Sequence, residues 1–152
     1  MPARALLLPS PDATTQFAAR LGRRLRPGDT LLLDGPVGAG KSHFARGLIQ
    51  SLQDPPEDVP SPTFTLIQTY DTARGPIWHC DLYRMSGPDE LIELGLLDAF
   101  DNAICLIEWP DRLGGLAPDN ALHLTFTPDP DDPDLRRLEL ASTAPEWDTR
   151  LP

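Results

Sequence analysis

The chain has 152 residues and a mass of 16.7 kDa, which is enough for one domain with a hydrophobic core and too little for two domains of ordinary size. Its formal net charge of −10 and its pI near 4.5 argue against a broad basic surface that binds nucleic acid through phosphates. We therefore expect no DNA partner.

The N-terminal part of the chain predicts a strand followed by a helix. Residues 5–8 are an apolar run that is far too short for a membrane span or a signal-peptide core. We therefore expect a cytoplasmic protein with no membrane partner. Ser10 is a residue type that favours a helix N-cap, and apolar side chains follow it at helical spacing: Phe17, Leu21 and Leu25.

The next segment, the octapeptide GPVGAGKS at residues 35–42, satisfies every fixed position of the phosphate-binding pattern G-x-x-x-x-G-K-[ST]. A buried strand is predicted before it, at residues 30–34, and a helix after it that ends before residues 54–56. Glycines let backbone N–H groups approach phosphate oxygens, and the helix N-terminus favours an anion. Lys41 would contact the phosphates, and the Ser42 hydroxyl would bind Mg²⁺.

This segment is predicted to bind the phosphates of a nucleotide cofactor. The residues assigned to that binding are Gly35, Pro36, Val37, Gly38, Ala39, Gly40, Lys41, Ser42 and His43. Strand, glycine-rich loop and helix occur in the order that the motif requires, which makes a chance match improbable.

The rest of the chain predicts further strands and one short helix, joined by turns rich in proline and glycine. The strands are expected at residues 65–70, 77–81, 104–108, 121–127 and 135–142, and the helix begins near residue 87. The fold class is therefore α/β: a single P-loop NTPase domain over residues 1–144, with a mixed, mostly parallel sheet flanked by helices and a C-terminal antiparallel hairpin. Residues 145–152 are expected to form a loosely held C-terminal tail.

The cysteines of the chain are expected to be free core residues. Cys80 and Cys105 each lie in a short apolar run, and an isolated pair does not make a disulfide framework. His79, Cys80 and Asp81 are consecutive, but successive strand residues point to opposite faces. These three side chains cannot converge on one ion by themselves, so we expect no zinc site.

Two carboxylates end predicted strands, where ligands bind in open α/β sheets. A P-loop ATPase needs such a group to hold Mg²⁺ and to position an attacking water, and Asp81 and Glu108 are the candidates. The alternative for either one is a surface acid at a strand end. Thr63, in a proline-containing loop, could contact Mg²⁺ or the γ-phosphate, or be a simple turn hydroxyl. Its spacing from the other motifs does not distinguish these two roles.

Four segments together resemble one family, TsaE, formerly called YjeE, the bacterial P-loop ATPases needed for the threonylcarbamoyl modification of adenosine 37 in tRNA. The segments are GPVGAGKSHFARGL at 35–48, SPTFTL at 61–66, HCDLYR at 79–84 and ICLIEWP at 104–110. They occur in the family's order and spacing, and the similarity weakens after residue 108. The phosphate loop is widespread, whereas the other three segments together are highly specific.

The resemblance implies that Lys41 and the loop amides bind ATP, and that Ser42 and Glu108 hold Mg²⁺. The family usually has threonine at the position of Ser42, and both residues present a hydroxyl. Asp81 would assist catalysis or act in the outer coordination sphere of the metal. By the same analogy, Thr63 belongs to a switch-like loop and Trp109 lies beside the nucleotide.

The resemblance also implies where the base lies and which proteins are partners. In such proteins the base is held between the N-terminal segment, here around Thr15, and the late hairpin, here Arg136 or Arg137. His43 replaces another common threonine of the family. TsaE proteins work with TsaD and TsaB, and ATP hydrolysis is thought to reset that complex. We therefore expect homologues of these two as partners, with tRNA involved only indirectly.

Two other functions are compatible with the phosphate loop. A small-molecule kinase also pairs such a loop with strand-end carboxylates, but it commonly needs an arginine-bearing lid. Only Arg112 lies in the connection after Glu108. A nucleotide-responsive binding module that hydrolyses nothing is the second alternative, and Asp81 and Glu108 argue against it.

Overall fold

A seven-stranded mixed sheet with helices on both faces organises the chain. The computed structural model describes residues 4–59, 66–85 and 87–152. The strands are β1 (Arg4–Leu8), β2 (Thr30–Asp34), β3 (Ile67–Thr72), β4 (Gly75–Asp81), β5 (Ile104–Glu108), β6 (Leu122–Pro128) and β7 (Arg136–Ala141). The helices are α1 (Pro11–Gly22), α2 (Lys41–Ser51), α3 (Pro88–Glu93), α4 (Leu96–Asn102) and α5 (Trp147–Arg150), with a 3-10 helix at Pro110–Leu116.

The strand order is β1-β7-β6-β2-β5-β4-β3, and its central four strands are parallel. The outer pairings, β1 with β7, β7 with β6 and β4 with β3, are antiparallel. The α/β class, the single P-loop domain fold and the antiparallel hairpin of β6 and β7 are therefore confirmed. Parallel pairing is confined to the core of the sheet, because β3 on one side and β7 on the other run antiparallel to their neighbours.

The side chains of β2 show why its sequence is apolar throughout. Leu31 and Leu33 pack into the core on the side of α1 and α2, whereas Leu32 packs on the side of α3 and α4. A strand buried on both faces needs apolar residues at successive positions. This burial holds β2 at the centre of the sheet and fixes the loop that follows it.

Several predicted local features are confirmed. Strands β2 and β5 have the predicted bounds, and Ser10 caps α1 by accepting a hydrogen bond from the Ala13 N–H at 3.1 Å. Cys80 and Cys105 are free and buried. Burial raises the pKa of both thiols, that of Cys105 to about 12.

Other local features differ from the prediction. The connection between the strands expected at residues 65–70 and 77–81 is shorter, because β3 continues to Thr72 and β4 begins at Gly75. The sequence predicts one short helix after residue 87, whereas the structure has two, α3 and α4. Gly95, at φ 86°, separates the two, and this left-handed residue interrupts the helical periodicity.

The C-terminal segment is not loosely held, contrary to expectation. Trp147 is fully buried, and its Nε1–H donates to the Asn120 carbonyl at 2.7 Å. The Arg150 guanidinium pairs with the buried Asp29 and lies 4.4 Å from the centre of the Trp147 ring. Local sequence could not show this, because the partners lie far away along the chain.

In the part of the chain that the structure describes, no helix combines the length and the hydrophobicity needed to cross a membrane.

We predict that Trp147→Ala lowers the free energy of unfolding by about 3–5 kcal/mol, because it leaves a cavity in the core. Urea unfolding of the purified variant measures this. The neighbouring exposed Asp148 provides the control, since Asp148→Ala should change stability by less than about 0.5 kcal/mol. Equal stability of both variants would mean that the tail is loose in solution.

Candidate functional site

A glycine-rich loop joins the central strand β2 to α2. Gly35 has φ 142°, and a Cβ atom there would lie 2.6 Å from the Phe126 carbonyl oxygen on β6, so a side chain does not fit. Gly40 has φ 104° and is the N-cap of α2, which begins at Lys41. The first turn of a helix carries N–H groups without partners in the helix. The loop therefore places a helix N-terminus at the carboxyl edge of the parallel strands.

This loop forms one wall of a cleft of about 640 Å³, within the size range of small-molecule binding sites. The other walls are the N-terminus of α1, the ends of β4 and β5, and the hairpin between β6 and β7. The predicted site residues that line the cleft are Val37, Gly38, Gly40, Lys41, Ser42, His43, Asp81, Glu108, Trp109 and Arg136.

The remaining predicted residues have other positions. Gly35, Pro36 and Ala39 lie in the loop behind the cleft wall, and the Ala39 N–H donates to the Pro36 carbonyl. Thr15 follows Thr14, which lines the cleft, and Thr15 Oγ1 contacts the lining residue His43 at Nε2, 3.0 Å away. Thr63 lies outside the described residues, so its role stays a prediction.

Lys41 is a buried cation in this cleft. It is 5% exposed, its Nζ donates to the Gly35 carbonyl at 2.7 Å, and it lies 3.5 Å from the centre of the Trp109 ring. Burial lowers the pKa of Lys41, while the charges of Glu108 and Asp34 act in the opposite direction. An anion that enters the cleft would replace solvation that the ammonium lost on folding.

Trp109 covers Lys41 in a strained conformation. Its φ of 59° and ψ of 57° are left-handed, which costs about 1–3 kcal/mol for a residue other than glycine. Its ring lies 4.9 Å from that of Tyr83, and the ring face supports the Lys41 ammonium. Other interactions of the fold must therefore offset the conformational cost of holding this aromatic ring at the loop.

A buried carboxylate faces the start of α2. Ser42 Oγ lies 3.0 Å and 3.1 Å from the two oxygens of Glu108, to which it donates, and Glu108 is 3% exposed. His79 Nε2 lies 2.7 Å from Glu108 Oε2. Asp81 stands opposite Glu108 in the register of β4 and β5, and its Oδ1 accepts from the Tyr83 N–H at 3.0 Å. The predicted pair of acids is therefore brought together at the loop.

The late hairpin contacts the loop through one of the two predicted arginines. Arg136 Nε donates to the Ala39 carbonyl at 2.9 Å, and Nη2 donates to the Gly38 carbonyl at 3.2 Å. Its Nη1 donates to the Pro133 and Leu135 carbonyls. Arg137 is exposed on the other side of the strand. Arg136 therefore joins the loop to the hairpin through its nitrogen atoms.

A protein-family model described as threonylcarbamoyl adenosine biosynthesis protein TsaE matches residues 8–138. The chain belongs to the TsaE family. Its function accordingly lies in the biosynthesis of threonylcarbamoyladenosine in tRNA, as the resemblance implied.

Known TsaE proteins and one solved structure resemble this chain over most of its length. A TsaE protein from Rickettsia bellii is 40% identical over 112 residues, which are 74% of this chain and 78% of that protein. The Bacillus subtilis TsaE is 36% identical over 124 residues, 81% of this chain and 77% of that protein. The crystal structure of Bacillus subtilis YdiB matches with a TM-score of 0.74 at 26% identity, covering 96% of this chain and 89% of that one.

The oxygen ligands of this TsaE-family site suit magnesium. Mg²⁺ prefers oxygen atoms and is commonly held by one or two carboxylates together with phosphates and waters. The hydroxyl of Ser42 and the carboxylate of Glu108 supply oxygen ligands of this kind beside the loop. Over residues 4–59, 66–85 and 87–152, no group of three or more His, Cys, Asp or Glu side chains is placed to hold an ion by itself.

Sequence reasoning missed two contributors to the site of this TsaE-family protein. His79 was considered only as a zinc ligand, although its place two residues before Asp81 puts both on one face of β4. Tyr83, in the HCDLYR segment, packs on Trp109. Neither contact could be read locally, because the register between β4 and β5 and the path after β5 are tertiary features.

We predict that Gly35→Ala lowers the free energy of unfolding by about 1–3 kcal/mol or more. Gly35 has positive φ, and the added Cβ atom would clash with the β6 backbone. Gly115→Ala is the matched control, since a Cβ atom there meets nothing within 4 Å. Thermal and urea unfolding compare the two. If both substitutions are tolerated equally, the close packing of the loop on β6 is wrong.

Proposed function

We propose that this protein is a Mg²⁺-dependent P-loop ATPase that acts on a complex of TsaB and TsaD homologues in tRNA modification. The observation that carries the proposal is the contact between Ser42 Oγ and Glu108 at 3.0 Å. It joins the last residue of the phosphate-binding motif to a buried strand-end carboxylate, which is the pairing that ATP hydrolysis with Mg²⁺ requires.

ATP is the proposed cofactor, with its phosphates in the cleft beside α2. The amides of the loop, the α2 N-terminus and the Lys41 ammonium all favour a polyanion there. Trp109 would border the nucleotide, since it already lies on Lys41. His43 lines the cleft and joins α2 to α1 through Thr15 and Pro11, so we place the base near His43 and Thr15.

Mg²⁺ is the proposed metal, with Ser42 and Glu108 as its protein ligands. When bound, it would neutralise negative charge on the phosphates. Asp81 stands beside Glu108 at the same edge of the sheet and lines the cleft. We assign to Asp81 the orientation of the attacking water. Thr63 is proposed to belong to a switch-like loop.

The proposed partners are proteins, and tRNA is contacted only indirectly. Support comes from the family and from the net charge of −10, which disfavours direct binding to a nucleic acid backbone. We propose a cytoplasmic location, with no membrane or DNA partner. The arginine lid that a small-molecule kinase would need after Glu108 finds no support, because Arg112 is exposed and does not line the cleft.

The experiment that tests the proposal is phosphate release from ATP and Mg²⁺, with and without the TsaB and TsaD proteins of the same organism. We expect slow release by the protein alone and a change in rate when both partners are added. Lys41→Ala should abolish release in both conditions, because the phosphates lose their principal cation. Partners that neither bind nor alter turnover would refute the tRNA-modification role of this ATPase.

A second prediction separates two roles for Arg136. If its guanidinium shapes the loop through the Gly38 and Ala39 carbonyls, Arg136→Ala should weaken ATP and inorganic triphosphate about equally, by about tenfold. Arg137→Ala, one residue away and exposed, should weaken neither. Isothermal titration calorimetry measures these affinities. A loss confined to ATP would instead assign Arg136 to the base.

A further inference from the structure

One buried histidine at the site has no role in the function described so far. His79 lies on β4, is 1% exposed, and contacts the Glu108 carboxylate across the pairing of β4 and β5. We propose that His79 is a positioning residue that holds Oε2 of Glu108 and thereby fixes the whole carboxylate in the orientation that faces Ser42 and Mg²⁺. The metal part of this inference rests on the proposed function.

The contact has a defined direction. A carboxylate only accepts hydrogen bonds, so the proton of the bond, 2.7 Å long, belongs to His79 Nε2. Nδ1 of the same ring is buried and has no hydrogen-bond partner among the residues that the structure describes. A proton on Nδ1 would be a buried donor without an acceptor. The geometry therefore places a ring hydrogen on Nε2, directed at Glu108.

This bond restricts a flexible side chain. A glutamate has three rotatable torsions, and a buried one needs a partner to select a single orientation. His79 contacts Oε2 alone, whereas the Ser42 hydroxyl lies 3.0 Å from Oε1 and 3.1 Å from Oε2, so the imidazole fixes the plane that the carboxylate presents to Ser42. Carboxylates that ligate metals are themselves commonly hydrogen-bonded, and removal of such an outer partner typically costs 10- to 100-fold in metal affinity.

The place of His79 in the sheet brings it to the carboxylate. Alternate residues of β4 face the same side, so His79 and Asp81 both face the side of Glu108. Cys80, between them, packs into the opposite core. Asp81 stands directly opposite Glu108 at the edge of the cleft, whereas His79 lies deeper and approaches the carboxylate from the buried side.

The test compares substitutions that remove or keep the donor. His79→Leu removes it, whereas His79→Gln keeps an N–H donor of similar reach. We expect the Mg²⁺ concentration that supports half-maximal ATP binding to rise 10- to 100-fold in His79→Leu and to stay within about threefold of wild type in His79→Gln. ATP affinity in EDTA should be unchanged in both, because the phosphate loop is intact.

Two further variants serve as references for His79→Leu. Glu108→Gln should raise the Mg²⁺ requirement at least as much as His79→Leu, since it alters the ligand itself. The exposed His123 gives a matched control, and His123→Gln should behave as wild type. A normal Mg²⁺ requirement in a folded His79→Leu protein would overturn the inference. Wild-type protein whose ATP binding ignores Mg²⁺ would instead overturn the proposed function and the metal part of this inference.

A measurement on the wild-type protein covers the case in which His79→Leu does not fold. Long-range ¹H–¹⁵N correlation spectra of ¹⁵N-histidine-labelled protein report the ring tautomer directly. We expect one histidine, assigned through its loss in His79→Gln, to carry its hydrogen on Nε2 with a strongly downfield proton. That proton should shift upfield in Glu108→Gln. A hydrogen on Nδ1, or a resonance indifferent to Glu108→Gln, would refute the contact.

Discussion

The architecture of the site depends on one constraint, the burial of the Glu108 carboxylate at the end of β5. A charge removed from water costs several kcal/mol unless other groups compensate for the lost hydration. Ser42 and His79 provide hydrogen-bond donors, and they come from two different elements, α2 and β4. The carboxylate therefore ties the helix that follows the glycine loop to the neighbouring strand. The register of the parallel core brings these elements within reach.

The buried cation of the site, Lys41, is also held by groups from different parts of the chain. Lys41 is buried against the Gly35 carbonyl and the Trp109 ring, and Trp109 adopts a left-handed conformation at that place. Arg136 holds the outer side of the loop through two carbonyls. Folding thus sets the shape of the loop and the positions of the buried cation and the buried carboxylate. A ligand therefore does not have to rearrange them when it binds.

The C-terminal segment stabilises the opposite end of β2. The segment after β7 returns to cover the core through Trp147, and Arg150 neutralises the buried Asp29. Asp29 precedes β2, the strand that leads into the glycine loop, so this ion pair fastens the start of the strand whose end carries the site. The family model ends at residue 138, yet the residues beyond it contribute to the core. For a domain of this size, such additional burial is a substantial share of stability.

The sequence by itself determined the features that are written in consecutive residues. The motif at residues 35–42, the apolar strands β2 and β5, the cap at Ser10 and the two strand-end acids were all predicted, because each depends on local pattern and stereochemistry. Tertiary structure alone decided which side chains meet. The contacts of Glu108 with Ser42 and His79 span 66 and 29 residues, that of Arg136 with Ala39 spans 97, and that of Arg150 with Asp29 spans 121. These contacts are set by the register of the strands and by the path along which the later segments pack back on the earlier ones. Local periodicity carries no information about either.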